Sequence, residues 1–508
     1  MKKLNLQVLV IPVLFVVLLG VLFSIFPEGS VNAINSARAF FNTYFSWWYV
    51  LFGAGIFLLL LFMSFSKLGN VKLGKEEDKP MKTFTWSCLI FTSTFAADLI
   101  FYSLHEWTYY WSANITDIAD ASSLSQKLLW SETYSFFHWT LIPWSIYLVL
   151  AVIYAYAFFR DGRRTRQCIS EFCRPVLKNQ TEKFTGKLID VFSVIVLLLG
   201  TSTTFSVTTP LMSAIVCKLF NIQNQTWISV IILIVIAAIY TIAVCMKKGI
   251  SIIAKVTTIA FACLVALFFV VGNPVFSIEN GIQSLGNMAV NFFKLATWTD
   301  PARASGFVQD WTVFYWAYWI AWSVGTPIFI AKISKGRTIK QTLIGGLIAG
   351  SLGTMSSFIS MSGFGLNLQA SGAFDAASMI ANGTAPADVI VSMISTSKAW
   401  AFLLVVTFIV MCLLYASTFD ALTSVVSAFS YKSLDVDEEP SKLIKIFWSI
   451  IFLILPIALL FLNTANQCLQ SMSIFGALPF SIIIVIIIIS FFKDAKQCFA
   501  KASIGGRK

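Results

Sequence analysis

The chain has 508 residues, of which 57% are hydrophobic and only 12% charged, far from a soluble globular protein, where about a quarter of residues are charged. Its net charge of +12 falls in alternate loops rather than on one surface, which argues against a nucleic-acid partner. Two histidines and nine cysteines, none of them paired as CxxC, give no metal-ligand spacing, no disulfide framework and no cofactor site.

Apolar runs long enough to cross a bilayer, each needing about 20 residues, recur along the chain. About twelve are predicted, over 6–26, 47–65, 83–104, 134–159, 188–208, 227–245, 250–271, 311–331, 345–364, 400–428, 444–462 and 472–492. The first has no small-residue cleavage signature and reads as a retained span. Basic residues precede the first span and follow each even-numbered one, from Lys2 and Lys3 through Arg160, Arg166 and Arg174 to Lys493, Lys496 and Lys501. The positive-inside rule then predicts a multi-pass protein of the plasma membrane with both termini in the cytoplasm.

The third span contains Phe91-Thr-Ser-Thr-Phe-Ala-Ala-Asp-Leu-Ile-Phe101. The small residues Ser93, Ala96 and Ala97 permit an unwound segment. Asp98 is a costly carboxylate inside a span and is by default functional; a structural ion pair or a helix cap is the alternative. The fourth span carries Phe137-His-Trp-Thr-Leu-Ile-Pro-Trp-Ser-Ile-Tyr147. In the seventh, Lys255 stands about 9 Å inside the membrane end, at 1.5 Å per residue; it either serves a buried site or snorkels to the interface. Between spans seven and eight, 282–298 repeats its apolar residues near helical period, as an amphipathic helix on the outer surface does.

The eighth span opens with Trp311-Thr-Val-Phe-Tyr-Trp-Ala-Tyr-Trp-Ile-Ala-Trp322. Tyr318, Trp319 and Trp322 are three and four apart and share neighbouring faces of a helix. Ring faces of this kind suit a quaternary ammonium cation, which has no hydrogen bond to donate. Gly325, Thr326 and Pro327 follow, as either an interruption that exposes backbone to a cavity or a simple proline kink. The tenth span holds Tyr415-Ala-Ser-Thr-Phe-Asp420.

These segments, with Ile330-Ala-Lys-Ile-Ser-Lys-Gly-Arg-Thr-Ile339 and Phe292-Phe-Lys-Leu-Ala-Thr-Trp-Thr-Asp300, keep the order seen in the betaine/carnitine/choline transporter family, which the chain resembles over most of its length. The resemblance is to choline-type, sodium-independent members. It implies an all-α integral membrane protein with inverted five-helix repeats, the fold of sodium-coupled amino acid transporters. Residues 1–82 would hold the cytoplasmic N-terminus and two extra helices, 83–272 the first repeat, 273–310 the extracellular connector, 311–492 the second repeat and 493–508 a short basic tail.

By the same resemblance Trp139, Trp144, Tyr147, Tyr318, Trp319 and Trp322 surround the solute. Trp316 lies on the access route, and Glu106 and Tyr109 form an outer site. Where sodium-coupled relatives bind an ion, this chain has Ser93, Phe95, Ser417 and Thr418. Asp98 replaces a family glycine and supplies a counter-charge or a proton site, and Lys255 takes the place of the ion. The implied function is alternating-access carriage of choline or a related trimethylammonium solute, coupled to protons or to exchange rather than sodium, in a homotrimer within the lipid bilayer. The alternative is sodium-coupled uptake of glycine betaine or carnitine. A membrane-embedded enzyme would need a catalytic constellation, and only His105 and His138 are available for one. A sensor would need an output domain, and a closed aromatic box favours binding over conduction.

Overall fold

Inside a bilayer the backbone must satisfy its own polar groups, so long apolar runs become helices. The computed structural model describes residues 4–92, 96–112, 123–160, 166–246, 249–436, 438–460 and 465–505, and the elements named among them are all helical. Nine described helices are long and apolar enough to span a membrane, and two bent pairs qualify when each is taken as one span. The remaining predicted span, the third, is divided into Thr83–Thr92 and Asp98–Ser112.

Several helices outrun their apolar cores. The second covers Pro27–Phe65, not only 47–65. At 1.5 Å per residue it is about 58 Å long, nearly twice a hydrocarbon core of about 30 Å. Its polar first half braces the segment before the eighth span: Arg38 pairs with Asp310 at 3.3 Å, and Arg303 donates to the Asn42 and Thr43 carbonyls and to Ser46. The fourth span begins at Leu124 and breaks into Leu124–Trp139 and Leu141–Ala155. The others are Leu6–Ile25, Phe184–Phe220, Gln225–Cys245, Gly249–Val271, Ile339–Ala370, Trp400–Phe429, Lys442–Leu459 and Ala465–Gly505.

The helix expected over 282–298 starts earlier, at Pro274, and runs to Thr297 at 106° to the seventh span. It is turned the opposite way to a surface helix in water. Several of its small polar residues face the protein, with Asn280 bonded to Glu132 and Asn287 to Thr133, while Ile282 and Val290 point outward beside the exposed Glu279, Gln283 and Lys294.

At the end of the bundle carrying the basic loops, residues 71–73 pair with 336–339 through Leu73 N–H to the Arg337 carbonyl (2.7 Å) and Gly336 N–H to the Leu73 carbonyl (2.7 Å). Gly336 has φ +83°, which glycine alone adopts freely. The Arg337 guanidinium lies 4.1 Å from the Trp86 ring centroid, and Trp86 donates to Ser334 at 3.1 Å. Lys335 pairs with Asp78, whose carboxyl is held below the usual range first by the Lys75 amide. The start of the third span and the end of the eighth are thereby joined.

The ninth span packs against the fourth through glycine. A Cβ at Gly350 would lie 2.2 Å from the Trp144 indole, whereas one at Gly286 would meet nothing within 4 Å. Gly350→Ala is expected to cost about 1–3 kcal/mol by overpacking and to lower the apparent unfolding temperature in detergent. Gly286→Ala should leave that temperature unchanged or raise it slightly; equal effects of the two would contradict the packing described.

Candidate functional site

Three helix breaks build the site. The third span stops at Thr92 and resumes at Asp98, with Ala96 and Ala97 outside any helix. The fourth breaks at Thr140, whose φ of −121° and ψ of −104° leave the helical region. Pro143 explains this break, because it has no N–H for the carbonyl four residues earlier, that of Trp139. That carbonyl accepts the Thr354 hydroxyl at 2.8 Å instead. The neighbouring carbonyl of His138 accepts the Trp319 indole N–H at 3.1 Å. The eighth span turns by 57° between Val308–Trp322 and Thr326–Ile333, at the predicted Gly325-Thr-Pro327 interruption.

The breaks converge on a cavity lined by Ala96, Asp98, Trp139, Tyr147, Tyr318, Trp319 and Trp322. Trp319 is its hub, with its ring centroid 5.4 Å from Trp139 and 4.9 Å from Tyr147. Tyr318 and Trp322 stand 6.4 Å apart at 75°. The void is about 20 Å³, room for about one water. A methylated ammonium group therefore fits only after the rings part.

Trp144 does not line the cavity. It is fully buried behind it, 6.2 Å from Tyr147 and 6.4 Å from Trp319, and supports both rings.

Asp98 is the first residue of the resumed helix, where free amides favour a carboxylate. Only 4% of it is exposed. Its Oδ2 is in hydrogen-bond contact with the Tyr318 hydroxyl and with Thr204 Oγ1 at 3.2 Å, and the two hydroxyls also lie within hydrogen-bond reach of each other. Thr204 was not singled out in the sequence. Its signal was the hydroxyl run Thr201-Ser-Thr-Thr204 inside an otherwise apolar span.

The other expected residues lie apart from the cavity. Lys255 is exposed on its helix and forms no ion pair with Asp98 among the described residues. Trp316 is fully buried against Phe137 and His138, not on an open access route. Tyr109 is half-buried and stacks on Trp311 at 4.1 Å. Glu106 is wholly buried and accepts from the Trp139 indole and the Tyr110 hydroxyl, so it faces the box rather than an outer surface. Ser417 is half-buried, and the buried Thr418 hydroxyl has no partner among the described residues. Ser93 and Phe95 lie outside the described residues.

The family profile described as BCCT, betaine/carnitine/choline family transporter, matches residues 7–499. The chain is similar to the glycine betaine transporter OpuD of Bacillus subtilis, with 28% identity over 93% of this chain and 90% of that one. It is also similar to a carnitine transporter of Acinetobacter baumannii, at 26% over 88% and 81%. The osmo-dependent choline transporter BetT2 of Acinetobacter baylyi matches at 24% over 97% and 72%.

Thr354→Val leaves the Trp139 carbonyl without its donor and is expected to cost about 1–3 kcal/mol. Thermal unfolding of the purified protein measures this; an unchanged transition would mean that the carbonyl does not depend on Thr354.

Proposed function

The chain belongs to the betaine/carnitine/choline transporter family, and we propose that within it the protein carries choline or a close trimethylammonium solute lacking a carboxylate, by alternating access. The observation that carries this reading is Asp98 in the lining of the aromatic cavity. Each ring face over a cation contributes roughly 0.5–2 kcal/mol. A carboxylate roughly 5 Å from the cation adds an attraction of about 3 kcal/mol at an effective dielectric constant of 20. Choline gains both contributions. Betaine and carnitine carry their own carboxylate, which Asp98 repels, so most of the second gain cancels. The small void supports an arrangement whose rings must part to load solute.

Coupling in this reading runs through a proton on Asp98, or through exchange of one cation for another. Tyr318 and Thr204 can donate to the carboxylate or, by rotating, accept from the acid, so both forms keep their hydrogen bonds. This reading gives Lys255 no part, since it is exposed and, among the described residues, does not pair with Asp98. Sodium-coupled betaine or carnitine uptake is the second reading. The buried Thr418 hydroxyl, without a partner among the described residues, favours it, since a small cation needs such oxygens.

The termini are assigned to the cytoplasm of a plasma-membrane protein, supported by the alternation of basic loops. Residues 83–272 and 311–492 are read as inverted repeats, supported by the break in the first helix of each. A homotrimer would cover the apolar outward face of Pro274–Thr297.

Radiolabelled choline uptake into proteoliposomes, under separate proton and sodium gradients, tests the proposal. Proton-driven or exchange uptake is expected, falling at least tenfold in Asp98→Gly and unchanged within about twofold in Lys255→Met, given the Asp98 attraction above. Sodium-driven betaine uptake indifferent to Asp98 would overturn both the substrate and the coupling assignment.

A further inference from the structure

We infer that Glu106 is the positioning residue of the aromatic box: it fixes the plane of the Trp139 indole and so sets the affinity for the carried cation. The inference rests on reading the box as the solute site.

Glu106 lies eight residues after Asp98 on the same helix and is fully buried. Its Oε2 accepts the Trp139 indole N–H at 2.5 Å, and its Oε1 accepts the Tyr110 hydroxyl at 2.5 Å. The Tyr110 oxygen is 2.7 Å from His138 Nδ1, and His138 Nε2 is 3.1 Å from the Thr312 hydroxyl. Tyr315 stacks on the His138 ring at 4.6 Å, 18° from parallel. One buried chain of contacts thus ties the carboxylate to the third, fourth and eighth spans. It has little freedom to swing, and neither has the indole that it holds.

The three tryptophans lining the cavity are held differently. Trp319 donates to a backbone carbonyl, that of His138, which side-chain replacement leaves in place. The Trp322 indole N–H has no partner among the described residues. Trp139 depends on a side chain. Its ring neighbours, Tyr102, Tyr315, Trp319 and Phe358, meet it through ring contacts at 5.4–6.0 Å, and its N–H bonds to the Glu106 carboxylate rather than to the hydroxyls of Tyr102 and Tyr315. A buried N–H that loses its acceptor is costly, so the ring will turn to find another. A ring turned edge-on gives up its cation–π contact, since only the face is electron-rich.

A double-mutant cycle on the purified full chain decides this. The Kd for radiolabelled choline is measured for the native protein, Glu106→Ala, Trp139→Leu, the double variant and Glu106→Gln. Glu106→Ala is expected to weaken binding about tenfold, the contribution of one ring. In the Trp139→Leu background the same change should add less than about twofold, because the ring it acts on is gone. Glu106→Gln keeps a carbonyl acceptor and should bind within about threefold of the native protein. Additive losses, or a Gln variant as weak as the Ala variant, would overturn the positioning role. Ligand-free thermal melting of the same five proteins forms a second arm. No coupling between positions 106 and 139 there would also overturn it. A native protein that binds no choline, betaine or carnitine instead refutes the substrate reading, and the melting cycle still decides the contact.

Discussion

An amide or carbonyl inside the hydrocarbon region must find its partner within the protein, and this chain breaks three helices around one cavity. Each break frees backbone groups, and the site consists largely of their substitutes. Pro143 leaves the Trp139 carbonyl without its helical donor, and Thr354 of the ninth span supplies one. The adjacent His138 carbonyl takes the indole N–H of Trp319, the central ring of the box. Backbone satisfaction and ring orientation are therefore one problem with one solution. The same break that interrupts the fourth span leaves the His138 carbonyl to anchor a ring on the eighth.

The sequence made the outline legible because hydropathy acts over some twenty residues at a time, and twelve such runs stand out from polar loops. The box was legible for a different reason: rings at spacings of three and four on a helix must be neighbours, and Tyr318, Trp319 and Trp322 are. Helix ends were not legible, since Pro27–Phe65 continues far beyond its apolar half and is held there by contacts to Arg303 and Asp310 that lie more than 250 residues away. Depth within the box was not legible either. Helical periodicity says which residues share a face, not which lies in front. Trp144 and Tyr147 are three apart, yet Tyr147 lines the cavity and Trp144 stands behind it against Gly350. Thr204 escaped because a hydroxyl in an apolar helix usually bonds its own backbone, and only the fold brings it to Asp98.

Polar groups around the box fall into two sets with different work. Asp98, Thr204 and Tyr318 lie on the third, fifth and eighth spans and join at the cavity wall. Glu106 and Tyr110, towards the end of the third span, and His138, beside the break in the fourth, hold rings from behind. Both sets are hydroxyl-rich and, among the described residues, neither carboxylate is paired with lysine or arginine. A buried ion pair would lock the helices at a cost in desolvation. Hydroxyl partners accommodate a change of charge or a small shift without leaving a cation stranded.

The same two spans that bear the box are also joined at the opposite end. Trp86, on the first segment of the third span, donates to Ser334 just beyond the last segment of the eighth, and Arg337 covers its ring. A movement of one segment therefore drags the other. The helix ends at Thr92 and Asp98 and the turn at 323–325 separate these paired segments from the halves that carry Glu106 and Trp316. The third and eighth spans thus behave as two coupled pairs of half-helices with the rings at the junction. A carrier needs a site that never faces both sides at once, and half-helices tied by Trp86 and Ser334 at one end and by the buried network around His138 at the other supply a separate unit for each side.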